Sequence, residues 1–263
     1  MQDHMSKPLT DLANDILSDG IIDADEVSKI RERVYADGII DREEADFLFQ
    51  LNDGASGKDN DPAWKAFFVE AITDHVLKDE TSPDILDEDE AQYLIKKIEA
   101  DDQVDDVELE LLVNISAKAK ECPPSFNTFV LGIVKKTVIA DGIVDAGEVE
   151  MMKKVIYGSG SGSGEGVDRT EADMLFDIND ATTSNQGHDS SWKDFFVEAV
   201  AKHVLDDEES PGEIDEAEGD WLIARIEGDG DYDNNEKALL AYIKANAKEI
   251  AGKLKFKIEM LGN

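Results

Sequence analysis

The chain is poor in the residues that most chemistry needs. Of its 263 residues only one is cysteine, Cys122, and four are histidine. One cysteine excludes an intrachain disulfide framework and any cysteine metal site. Zinc is disfavoured without clustered Cys or His. Basic residues are scarce as well, 26 Lys and Arg against 62 Asp and Glu, for a formal charge of −36. That balance would repel nucleic-acid phosphates and anionic lipid surfaces. No apolar run reaches spanning length and the N-terminus lacks a signal-like apolar core, so no membrane insertion and a cytoplasmic setting are expected. No phosphate-cradling loop is present, since the Gly/Ser run at 158–166 lacks the following Lys and Ser/Thr. Paired carboxylates could do acid–base work, but here they sit at helix starts that favour ionised Asp. The expectation is therefore not an enzyme.

What the chain does have is acid in a fixed phrase. Residues 19–26 read DGIIDADE, 37–44 DGIIDREE, 141–148 DGIVDAGE and 229–236 DGDYDNNE. A reduced form, apolar-Asp-x-x-Glu, occurs at eight places, with Asp at 23, 41, 87, 105, 145, 168, 215 and 233. Two readings fit. As a capping box, Asp accepts the N3 amide and Glu reaches back to the N-cap amide. As half of an EF-hand loop, the phrase supplies Asp at position 5, Gly at 6, Asp at 9 and Glu at 12. The first half of such a loop is missing, because position 1 would be Asp15, Arg33, Thr137 or Arg225.

Both readings place a helix after each phrase. The apolar positions elsewhere recur at helical spacing, as in Trp64, Phe67, Phe68, Ala71, Ile72, His75 and Val76. The whole pattern then starts again. WKDFFVEAVAKHVLDD from Trp192 answers WKAFFVEAITDHVLKD from Trp64, and VDRTEADMLFDIND answers IDREEADFLFQLND. This is an internal duplication of about 120 residues. The expected architecture is all-α, two tandem helical-bundle repeats of about six helices each, spanning 1–122 and 123–263 around the Cys-Pro-Pro breaker. The second repeat carries a Gly/Ser insertion at 158–166, expected to be a flexible linker. The matched His75 and His203 read as core histidines, and Asn52 and Asn179 as helix-end caps with a secondary role as carbonyl ligands.

The phrases ADGIIDREE at 36–44 and ADGIVDAGE at 140–148, set between short helices with an aromatic-rich central helix, resemble the tellurite-resistance protein B (TerB-like) family. The resemblance covers both halves. It implies an all-helical domain whose acidic loops hold divalent cations, in bacterial metal- or stress-response systems and without catalysis.

The candidate metal ligands are Asp19, Asp23, Glu26, Asp37, Asp41, Glu44, Asp101, Asp105, Glu108, Asp141, Asp145, Glu148, Asp229, Asp231, Asp233 and Glu236. Alternating helices put Asp19, Asp23, Asp101 and Asp105 at one end of the first bundle, with Asp53, Asp59 and Asp61 nearby. Asp37 and Asp41 fall at the other end with Asp79, Asp84 and Asp87. Such oxygen-only sets suit Ca2+ best, and Mg2+ or a lanthanide also fits. The competing expectation is an acidic interaction scaffold for a basic protein partner, whose loops only cap helices.

Overall fold

The computed structural model describes residues 5, 7–78, 82–101, 103–161, 166–206 and 210–261, without the side chains of Asp101 and Leu261. The side chain of the expected ligand Asp101, and Asp79, expected beside Asp37 and Asp41, therefore lie outside what is described. Among the described residues the chain is all-helical, with thirteen α-helices and strands of two residues each. Contacts divide it into two compact units, 1–130 and 131–263.

Unit 1 holds α1 (Leu9–Ile16), α2 (Ala24–Val34), α3 (Arg42–Ala55), α4 (Pro62–Leu77), α5 (Glu88–Ile98) and α6 (Asp106–Lys118). α4 is apolar on most of its surface, and a helix of that kind belongs in the centre. It packs against α2, α3 and α6, and α1 packs on α3. Trp64, Phe67, Phe68, Ile72 and Val76 are all buried, each worth about 1.5–3 kcal/mol when fully removed from water. Phe49 of α3 meets Phe68 edge-on, with ring centroids 5.2 Å apart. After α6, the Glu121 carbonyl accepts the Leu86 amide at 3.0 Å, a single parallel bridge. α7 (Pro124–Val138) follows as one continuous helix, and the division between units falls inside it.

Unit 2 continues with α8 (Ala146–Ile156), α9 (Arg169–Thr182), α10 (Ser190–Leu205), α11 (Glu216–Ile226), α12 (Asn234–Asn246) and α13 (Gly252–Leu261). α10 is the centre, packed by α8, α9 and α12, while α13 lies on α11 and α12. β1 (Glu213–Ile214) and β2 (Glu249–Ile250) pair in parallel. The Gly/Ser insertion follows α8, and residues 162–165 of it lie outside the described residues. Residues 159–161 form a 3-10 turn in which Gly160 and Ser161 are buried against the end of α8.

Loops gather at helix ends. At one end of unit 1 the Ile22 carbonyl accepts the Asp61 amide at 2.9 Å, and the Ile22 amide donates to Asn60 Oδ1 at 2.9 Å. Asn52 reaches Asp105 at that end too. At the other end His75 Nδ1 lies 2.7 Å from the Ile40 carbonyl. His203 makes the corresponding contact to the Val167 carbonyl in unit 2, at 2.9 Å. Both histidines are half-buried and hydrogen-bonded, and burial lowers the pKa of each ring.

Candidate metal centre

Each of the eight Asp-x-x-Glu phrases starts a helix, and each closes a complete capping box. In α2, for example, the Glu26 amide donates to Asp23 Oδ1 at 2.8 Å while the Asp23 amide donates to Glu26 Oε2 at 3.0 Å. The negative side chains also face the positive end of the helix dipole.

Four of the eight boxes are preceded by Asp-Gly, and those four share one further turn. The first aspartate takes the amide two residues on, as in Ile21 to Asp19 (3.0 Å), Ile39 to Asp37 (3.1 Å), Ile143 to Asp141 (2.9 Å) and Asp231 to Asp229 (2.9 Å). The glycine between them is left-handed, with φ from 76° to 87°, which only Gly adopts without strain. This turn folds the first aspartate back toward the box. Partial burial and the two aspartates of its own loop raise the pKa of the glutamate in each case. The pairs are Asp23 and Asp19 on Glu26, Asp41 and Asp37 on Glu44, and Asp145 and Asp141 on Glu148.

Asp105 and Asp233 are different from the other caps. Asp105 Oδ1 accepts the Val107 and Glu108 amides, and Oδ2 accepts Asn52 Nδ2 and Ser56 Oγ, all at 2.9 Å. Asp233 Oδ1 accepts the Asn235 and Glu236 amides, at 2.7 and 2.9 Å. Its Oδ2 accepts Asn179 Nδ2 at 2.6 Å and Thr183 Oγ1 at 2.9 Å. A carboxylate offers about four lone-pair sites, so these two are saturated by protein donors and have nothing left for an ion. Asn52 and Asn179 are correspondingly not helix-end caps. They sit buried inside α3 and α9 and tie those helices to the starts of α6 and α12.

The acidic end of α12 also contains two oxygens without partners. Glu236 is 1% exposed. Its Oε2 accepts the Asp233 amide at 3.0 Å, but its Oε1 is buried with no hydrogen-bond partner. Asp180, in the last turn of α9, has a buried Oδ1 in the same condition, while its Oδ2 is 4.0 Å from Arg225 Nη2. Burial, with Asp233, Asp229 and Asp180 beside it, pushes the Glu236 carboxyl up to about 8. Burial and Asp229 push Asp180 up to about 6, although Arg225 opposes them. A buried oxygen with no donor is costly, and Arg225, paired with Asp177 at 2.6 Å, meets Asp180 only at 4.0 Å. The donor set is oxygen only, which suits a hard cation.

No protein-family model, curated protein or solved structure matches this chain.

Each expected ligand other than Asp101 therefore has a definite place. Asp19, Asp37 and Asp141 are exposed loop aspartates turned onto their own backbone, and Asp23, Asp41 and Asp145 are exposed caps. Glu26, Glu44 and Glu148 are half-buried capping partners. Glu108 is buried in its box. Asp231 is exposed and accepts the Tyr232 amide at 2.9 Å. Among the described residues no three His, Cys, Asp or Glu side chains already surround a common point as metal ligands would. The capping bonds hold one oxygen of each carboxylate toward the backbone. Asp180 was not expected, because attention to the repeated phrase passes over a mid-sequence Asp in DIND at 177–180.

Proposed function

We propose that the protein is a non-catalytic binder of hard cations, calcium before magnesium or a lanthanide. We take it to be built from two tandem TerB-like helical repeats, in a cytoplasmic bacterial metal or stress response. The observation that carries this reading is the shared Asp-Gly turn. Four times, the same backbone geometry brings two aspartates against a partly or wholly buried glutamate whose pKa rises in consequence. Capping alone does not require the first aspartate, since the four boxes without Asp-Gly also close. A divalent ion would relieve the like-charge crowding at contact, with carboxylate rotation as the cost of entry.

A specific observation favours the second reading, an acidic scaffold for a basic partner. All eight phrases have a full structural role as capping boxes without any ion. Calorimetric titration of calcium into chelator-treated protein separates the two. Saturable heat with a defined stoichiometry supports cation binding. Absence of heat at millimolar calcium leaves the scaffold.

A further inference from the structure

We propose that the corner of unit 2 where α12, β2 and α13 meet binds a small anionic amphiphile, a carboxylate carried on an aliphatic tail. A groove of about 450 Å³ lies there, within the size range of small-ligand sites. Its charged lining is Lys244, Lys248 and Lys255 with Glu249 and Glu259, and its apolar lining is Ala247, Ile250 and Ile258. Lysines gathered in one groove are out of place on a chain of formal charge −36. Solubility does not call for them, since that charge is already far from zero.

The duplication supplies an internal control. The α12 cap Asp233 answers the α6 cap Asp105, and the pairing of Glu213 with Glu249 answers the bridge of Ile85 to Glu121. In that register unit 1 has Ser116 where unit 2 has Lys244, and Asn127 where unit 2 has Lys255. Lys120 and Lys248 match, but Lys120 is paired with Asp84 at 2.8 Å. Unit 2 has Gly212 in place of that aspartate, and Lys248 Nζ donates to the Pro211 carbonyl at 2.7 Å instead. The neighbouring Lys253 and Lys257, outside the groove lining, are paired with Asp220 and Glu227. Lys244 and Lys255 make no side-chain hydrogen bond or ion pair among the described residues. The lysines of the groove are thus the ones left without a carboxylate.

The same residues narrow the ligand. Three lysines against Glu249 and Glu259 leave one net positive charge, which suits a monoanion and disfavours a phosphate dianion. The apolar lining asks for a tail. Ile250 is half-buried, whereas its counterpart Cys122 in unit 1 is 4% exposed. An aliphatic chain laid over Ile250 and Ile258 removes that surface from water, and the lysine stems add apolar wall beside it. A large polyanion or an anionic bilayer would also meet the acidic remainder of the chain and be repelled, while a small ligand meets the groove alone.

This site is independent of the cation reading, and its test uses a different ligand. Sodium octanoate is titrated calorimetrically into the full chain, with sodium acetate and octylammonium chloride as controls for the tail and the charge. Lys244→Ser and Lys255→Asn install the unit 1 residues at exposed positions, and Lys253→Ser, outside the groove lining, is the reference variant. The expected result is saturable binding of one octanoate per chain, with acetate and octylammonium far weaker. Each groove variant should weaken octanoate by about fivefold, as loss of one exposed charge contact does, and Lys253→Ser should leave it unchanged. No octanoate binding at millimolar concentration overturns the proposal, as does binding that both groove variants retain in full. Equal weakening by Lys253→Ser would reduce the effect to overall charge, and equal binding of acetate would remove the tail; either overturns it. Phosphatidylglycerol vesicles form the last arm, and capture of the chain by vesicles without octanoate binding would assign the corner to a lipid surface instead. Should one groove variant fail to fold, the other carries the comparison.

Discussion

Asn179 donates its side-chain amide to Asp233 Oδ2 at 2.6 Å, tying the buried last turn of α9 to the cap of α12. Its Oδ1 in turn accepts from Asn235 at 2.8 Å. In unit 1 the same tie runs from Asn52 to Asp105 at 2.9 Å, with Trp64 Nε1 donating to Asn52 Oδ1 at 3.3 Å. Truncation leaves partners inside without a bond, at about 1–3 kcal/mol each. Asn179→Ala and Asn52→Ala should each lower stability by about 2–3 kcal/mol in urea unfolding. A loss below about 0.5 kcal/mol in both would mean that the ties contribute little.

Asn60 and His188 perform one task with different chemistry. Asn60 accepts the Ile22 amide and donates to the Ala55 carbonyl, at 2.9 and 2.8 Å. His188 Nδ1 accepts the Val144 amide at 3.0 Å, and Nε2 donates to the Thr182 carbonyl at 3.1 Å. That pair of roles requires the neutral Nε2–H tautomer. His188→Asn should therefore stay within about 0.5 kcal/mol of the wild type, while His188→Ala should cost about 1–2 kcal/mol. Equal losses in urea unfolding would show that the two hydrogen bonds do not matter.

Asp84 is the one described non-glycine residue with positive φ, at 66°, and its amide donates to the Leu77 carbonyl at 2.9 Å. Gly212 is in the same left-handed region at 83° and makes the matching bond to Leu205 at 2.7 Å. An ordinary L-residue costs roughly 1–2 kcal/mol there, and Asp somewhat less. The Lys120 ion pair at 2.8 Å is exposed and offsets little. Asp84→Ala should destabilise by about 1 kcal/mol, whereas Asp84→Gly should be within about 0.5 kcal/mol of the wild type. The check is the shift in thermal midpoint, and a better-tolerated Ala than Gly would contradict the strain argument.

The helical architecture was legible because the capping phrase marks helix starts directly, as Asp23–Glu26 and Asp145–Glu148 illustrate. The apolar stripe of α4 placed Trp64 and Phe68 in the core in the same way. The tie of Asn52 to Asp105 was not legible, since nothing in a sequence tells a buried tether from a cap. The pairing of Ile85 with Glu121 escaped notice because so short a strand has no periodicity. Asp180 escaped because its significance comes from burial beside Asp229 and Glu236, across 49 and 56 positions of chain.

Raised carboxyl pKa values fix the sign of a pH effect. Glu236 at about 8 and Asp180 at about 6 lie above their unfolded values, so these two groups hold more protons in the folded chain than in the unfolded chain between those limits. Stability then falls as pH rises. Above the range in which the lowered rings of His75 and His203 act in the opposite sense, chelated protein should melt higher at pH 7 than at pH 8.5, and Glu236→Gln should flatten the difference. A midpoint that rises with pH in chelated wild type would contradict the assignment of these carboxyls as crowded and buried.

On the proposed reading the acidic loops take up cations and do more than cap. Salt screens the repulsion of a −36 chain over a Debye length of about 10 Å at 0.1 M. A bound ion adds stabilisation by mass action, which screening does not supply. The direct measurement is the melting temperature of chelator-treated protein in millimolar calcium chloride and in potassium chloride of equal ionic strength. A clearly larger rise is expected with calcium, reversed by chelator and restored when calcium is returned. Equal rises in the two salts would contradict it.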